Sequence, residues 1–279
     1  DLVGRAIADA MATVLGKPVV VINRAGAGGT VAAAAAAKST PDGYTVLQAN
    51  TNHSFSHTLY KNLSYDLVKD FMPVARFGSA FYIVLAHPQL GVKTVGELIA
   101  KAKAQPGKLN YASGGVGSAT FIVAEVLKAQ AGLDMVHIPY GGGGPALTSI
   151  LSGVTDIYGS PYTTAKPYVD DGKLVGLAVS SRERIPFLPD MPTIAETLPG
   201  YEVTTWYGLL LPQGTPIEIR DTLKAAVLKA VSMPETRRRL EEMGYVTRQS
   251  DTPEAFAKFL DEDIAAMAKL IRTYNLKAE

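Results

Sequence analysis

A short apolar run, a glycine-rich turn and a helix-period pattern recur three times along this chain. No other feature constrains the fold as strongly. The turns are Ala-Gly-Ala-Gly-Gly-Thr at residues 25–30, Ser-Gly-Gly-Val-Gly-Ser at 113–118, and four glycines at 141–144. Each follows a strand-like stretch and opens a helix-like one. Strands alternating with helices argue for an α/β fold with mainly parallel pairing, because parallel neighbours need a crossover that a helix supplies.

Reading outward from these units gives the expected elements. An amphipathic first helix ends at Gly16, and the β-branched run at 17–23 reads as a buried strand. A strand at 44–49, a polar loop at 50–57, separate strands at 71–77 and 81–87, and a helix at 93–104 complete the first half. Then the pattern restarts: strand 109–112, helix to 131, strand 135–140, helix 145–152, and strands at 156–159 and 174–180. A proline-rich loop at 184–192 and a long strand at 201–211 follow, and three helices at 217–231, 234–243 and 253–274 end the chain. A helical end after a restarted unit suggests that the C-terminus returns to the first lobe. The expected organisation is lobe 1 from residues 1–84 and 208–279, and lobe 2 from 85–207. A cleft between lobes is a favoured ligand position.

Composition removes several function classes. The chain has no cysteine, which excludes disulfides, thiolate metal sites and Cys nucleophiles. Net charge is +1, and the densest basic run, Arg237 to Arg239, is followed by Glu241 and Glu242, a solvated helix face rather than a nucleic-acid patch. No apolar run approaches the roughly 20 residues that span a bilayer. The sequence starts at Asp1, without Met and inside a helical pattern, so a segment upstream is expected.

The loop at 113–118 offers the most pointed chemistry. A Gly/Ser loop opening a helix presents backbone N–H groups with the positive end of the helix dipole behind them, an anion site. Ser113, Gly114, Gly115, Gly117, Ser118 and Thr120 form this candidate cradle, which contains no Lys, Asp, Glu, His or Cys. It lacks the lysine of a phosphate loop and the spacing of a dinucleotide fingerprint. Tyr140 and Gly141 begin a second turn of the same kind. The turn at 25–30, with Arg24 beside it, is explained by helix–sheet packing. His53 and His57 are four apart, a spacing that chelates metal on a helix, yet Asn52 and Ser54 argue for a polar loop there. His87 and His137 read as structural. Trp206 is a candidate for a cleft wall. No G-x-S-x-G motif and no acid–base pair is evident.

Six segments taken in order carry a resemblance that runs the length of the chain. They are Val-Val-Val-Ile-Asn-Arg-Ala-Gly-Ala-Gly-Gly at 19–29, Thr-Pro-Asp-Gly-Tyr-Thr at 40–45, Leu-Asn-Tyr-Ala-Ser at 109–113, His-Ile-Pro-Tyr-Gly-Gly at 137–142, Leu-Pro-Asp-Met-Pro-Thr at 188–193 and Trp-Tyr-Gly-Leu-Leu at 206–210. Together they resemble the Bug (TctC-like) proteins, the periplasmic solute-binding components of tripartite tricarboxylate transporters. The resemblance implies a two-lobed type II periplasmic binding protein of the Venus-flytrap kind. It implies a periplasmic monomer that closes on a small carboxylate and hands it to the membrane components of the transporter. It implies no catalysis, no metal, no cofactor and no nucleic-acid partner.

The same resemblance makes Asp1 the last residue of a family loop that supplies half of the carboxylate cradle. Where the family often has an acidic residue, this chain has Ser160, preceded by Gly159 in place of a large apolar residue. Gly141 stands where the family has a lysine. The expected ligand therefore has no ammonium group and carries bulk near Gly159: a dicarboxylate or an aromatic carboxylate. One carboxylate would sit on the 113–118 loop, and Asn52, His53, Tyr140, Ser160 and Trp206 would read the distal end. Two alternatives stay open: a hydrolase using the glycine loop as an oxyanion site, and a ligand sensor for a membrane signalling protein.

Overall fold

The computed structural model describes residues 2–24, 29–60, 62–115, 118–248 and 250–273. It divides into two units, Asp1–Ser79 with Trp206–Glu279, and Ala80–Thr205.

In the first unit, helix α1 (Leu2–Leu15) carries Val3, Ala6, Ile7, Ala10 and Met11 at helical spacing, one apolar stripe that must find a partner. The stripe packs with Val227, Ala230 and Val231 of α8 (Ile217–Ser232) and Leu240 of α9 (Pro234–Glu242). A second core gathers Ala33 and Ala36 of α2 (Thr30–Ala37), Leu47 and Ala49 of β1 (Leu47–Asn50), and Phe256 and Leu260 of α10 (Pro253–Thr273). Alanine on α2 lets the helix lie close to the sheet. Strand β1 pairs antiparallel with β7 (Thr204–Pro212), Leu47 opposite Leu210. Strand β7 borders β2 (Phe71–Ala86), which also pairs with β8 (Tyr245–Thr247).

The second unit holds α4 (Val95–Ala104), β3 (Asn110–Ser113), α5 (Ala119–Ala131), β4 (Val136–Pro139), α6 (Gly143–Leu151), β5 (Ile157–Pro161), α7 (Tyr162–Asp170) and β6 (Val175–Val179). Strand β3 runs parallel to both β4 and β5, the chain passing β3–α5–β4–α6–β5 through two helical crossovers. Strands β5 and β6 pair antiparallel with β2, so the sheet is mixed. The parallel part is the restarted pattern of the sequence. The antiparallel pairings belong to β2 and β7, within which the chain passes from one unit to the other.

Several elements differ from the expectations. The run at 17–23 forms no strand, and Val20 and Ile22 are 78% and 74% exposed. β-Branched residues supply propensity, but a strand also needs an edge to bond to. The expected polar loop at 50–57 is helix α3 (Thr51–Leu59). Asn50 caps it: its side chain accepts the Asn52 amide at 3.0 Å, and its own amide donates to His53 Nδ1 at 3.2 Å. The two strands expected at 71–77 and 81–87 are one strand, β2, running straight through Gly78 and Ser79. Gly78 lies against β8, where a Cβ would sit 2.9 Å from the Val246 carbonyl oxygen. Helix α7 and strand β8 were not expected; α7 hides behind an internal Pro167.

Candidate functional site

Because β4, β3 and β5 are parallel, their carboxyl ends lie at one end of the second unit, and α5, α6 and α7 start there. This is the end of a parallel sheet where ligands bind. The two glycine turns meet at it. A Cβ on Gly114 would lie 3.4 Å from both Gly142 C and Gly143 N, and the Tyr140 amide donates to the Ser113 carbonyl at 3.0 Å. Gly115 has φ +109°, a backbone that glycine adopts without strain.

The hydroxyls of the loop hold its own backbone. The Gly114 amide donates to Thr120 Oγ1 at 2.9 Å, and the Gly115 amide to Ser113 Oγ at 3.0 Å. Ser118 caps α5: its Oγ accepts the Phe121 amide at 3.2 Å and donates to the Gly115 carbonyl at 2.7 Å. So the amides of Gly114 and Gly115 are already engaged. The amides of Ala119 and Thr120, in the first turn of α5, have no acceptor within the helix. Those of Gly143 and Gly144 open α6, whose cap Gly142 has no side chain to offer. Both helix dipoles favour negative charge at these amides.

Behind the loop lies a pair the sequence reading missed. Ser113 is fully buried, and its Oγ is 2.7 Å from Nε2 of His137. Tyr111 pairs with His137 and Ser113 with Pro139 in the parallel ladder, so both side chains project on the same face. The imidazole stacks on Tyr111 with centroids 4.9 Å apart and leans on Phe121 at 4.8 Å. Burial lowers the His137 pKa, Glu125 opposes that shift and Lys128 adds to it. The Tyr111 hydroxyl donates to the Glu125 carboxylate, which also pairs with Lys128 at 2.7 Å. Same-face parity in two strands of matched length was the signal available for this pair.

The remaining expected residues are scattered. Ser160 is buried and its hydroxyl donates to the Pro161 carbonyl at 3.3 Å. Gly159 makes no room for a ligand, contrary to expectation: a Cβ there would sit 2.7 Å from Val123 Cγ1, so the glycine lets α5 lie on β5. Tyr158 beside it sends its hydroxyl to the Gly143 carbonyl at 3.4 Å, and burial pushes its pKa up to about 12. Gly141 faces open space. Tyr140 is half-buried.

In the first unit, Asn52 is exposed on α3 and His53 is buried beneath it. His53 and His57 do share a helix, yet among the described residues no group of metal ligands assembles. Trp206 is core rather than a free wall. Its ring packs edge-on to Phe256 and Phe259, and its indole N–H donates to Asp263 at 2.7 Å. A large ring with one donor is placed best where an acceptor meets it inside the core. Asp1 and Gly117 lie outside the described residues. No helix among the described residues is long and apolar enough to cross a membrane.

Comparison with known proteins agrees with this architecture. The family model of the tripartite tricarboxylate transporter family receptor, TctC, matches residues 3–276. Protein BugT of Bordetella pertussis is 30% identical over 282 residues, covering 99% of this chain and 86% of its own. The solved structure of periplasmic binding protein BugD is 29% identical, with a TM-score of 0.81 over 100% of this chain and 94% of that one. MatC from Rhodopseudomonas palustris with bound malate is 33% identical, with a TM-score of 0.78 over 97% and 94%. A second R. palustris protein, with adipate, is 29% identical at a TM-score of 0.84, over 99% and 93%. The fold is thus that of the periplasmic solute-binding proteins, and the chain belongs to the TctC family of tripartite tricarboxylate transporter receptors.

Proposed function

We propose that this chain captures a small dicarboxylate in the periplasm, as a monomer that closes its two lobes on the ligand, and delivers it to the membrane components of a tripartite transporter. One observation carries the reading: α5 and α6 start side by side on abutting glycine turns, with no charged side chain in either turn. Neutral donors and two helix dipoles suit a carboxylate that must be released again. Similar proteins hold malate and adipate, both dicarboxylates. The aromatic option loses its support, because the space at Gly159 is filled by Val123. Ser160 is neutral, which leaves nothing at that position to pair with an ammonium group.

Calorimetric titration tests this directly. Malate or adipate is expected to bind and aspartate to bind at least tenfold more weakly; tight aspartate binding defeats the proposed ligand class.

The Ser113–His137 pair favours a second reading, acyl transfer with Ser113 as nucleophile. Against it, Ser113 is fully buried and its Oγ already accepts the Gly115 amide. Turnover of p-nitrophenyl acetate above background, lost in Ser113→Ala, would restore the enzyme reading; none is expected.

A further inference from the structure

The N-terminus of α2 in the first unit carries a feature that the site above does not use. His53 is only 5% exposed, and its Nε2 has no hydrogen-bond partner among the described residues. The ring is aimed at Gly29, the residue that caps α2: a Cβ built on Gly29 would lie 3.2 Å from Nε2 and 3.3 Å from Cε1. Gly29 has φ +99° and no side chain, so it offers the first amides of α2 no side-chain cap. The tautomer follows from the other nitrogen. Nδ1 accepts the Asn50 amide at 3.2 Å, so the neutral ring carries its proton on Nε2. A buried N–H therefore points at the positive end of a helix, with no acceptor among the described residues. A buried donor left unpaired is costly, and both neighbours here demand negative charge.

We propose that the α2 N-terminus and His53 Nε2–H form a carboxylate-binding site on the first unit. The inference rests on the dicarboxylate reading above and extends it: this site takes a carboxylate group of the same class of ligand. His53 donates through Nε2 as a neutral ring, and the first-turn amides of α2 supply the remaining donors. Gly29 is glycine because a Cβ would stand between the imidazole and the helix end.

Two substitutions separate this role from the cap of α3. His53→Asn keeps an acceptor near the Nδ1 position for the Asn50 amide and deletes the distal donor. His53→Gln keeps a donor near the Nε2 position and loses the cap. The proposal expects His53→Asn to weaken malate and adipate binding by roughly tenfold or more, with His53→Gln closer to wild type. A merely structural His53 gives the reverse order, with the losses following thermal stability rather than affinity. A second readout does not depend on either acid. In protein labelled with 15N-histidine, the His53 Nε2–H resonance is expected to shift on titration with acetate. Wild-type binding of malate or adipate with an unmoved His53 resonance and an unaffected His53→Asn overturns this site while leaving the proposed function intact. Failure of both acids to bind overturns the dicarboxylate reading, and the acetate titration then decides the His53 site alone.

Discussion

Ser113 Oγ and His137 Nε2 are 2.7 Å apart, and the same Ser113 oxygen accepts the Gly115 amide. The hydroxyl thus links β3, β4 and the glycine turn at one atom. Ser113 braces the carboxyl end of the parallel strands from behind, while the Ser118 and Thr120 hydroxyls hold the backbone of the turn itself.

This arrangement separates two serines that look alike in sequence. Ser113→Ala removes the partner of both the half-buried Gly115 amide and the half-buried His137 Nε2, and is expected to cost about 1–2 kcal/mol of stability. Adding His137→Phe removes the stranded imidazole and recovers part of that loss. Ser118→Ala removes an N-cap at a half-buried position and costs about 1 kcal/mol. Urea midpoints of the variants and the double variant check this; equal losses for the two serines, with no recovery, contradict it.

Gly159 gives a second test, of packing against ligand room. A Cβ would stand 2.7 Å from Val123 Cγ1, so Gly159→Ala is expected to destabilise by about 1–3 kcal/mol. Val123→Ala in the same chain relieves the clash. Thermal melts of single and double variants decide it: a Gly159→Ala protein of wild-type stability with weakened malate binding would return this residue to the ligand.

How far the sequence reached depends on the kind of evidence each residue carries. The strand–turn–helix units around β3, β4 and β5 were legible because their signals are local: apolar runs, glycine turns and the helix-period patterns that follow them. The strand expected at 17–23 failed because propensity says nothing about a partner edge. Helix α3 was obscured because its cap is reciprocal, with His53 reaching back to Asn50, and no hydrophobic period announces it. The roles of Trp206 and Gly159 were misread because each depends on a residue far along the chain, Asp263 and Val123. The Ser113–His137 pair needed the parallel register, which no single segment reveals.

His53 should also govern part of the acid sensitivity. Burial pushes its pKa down from 6.5 to about 4, so the folded chain resists protonating it while the unfolded chain does not. Stability from this group is full above pH 6.5 and is lost as pH falls toward 4. By linkage the loss is about 3 kcal/mol across that window. Carboxylates also titrate there, so the difference between proteins is what counts. Denaturation from pH 7.5 to 4 is expected to show a shallower decline for His53→Asn than for wild type; parallel curves contradict it.

The most direct test of the central claim reads the backbone amides themselves. In 15N-labelled protein titrated with malate, the amides of Ala119, Thr120, Gly143 and Gly144 are expected to shift most within the second unit, saturating with the calorimetric affinity. Malate binding that leaves those four amides in place while moving others would contradict the account.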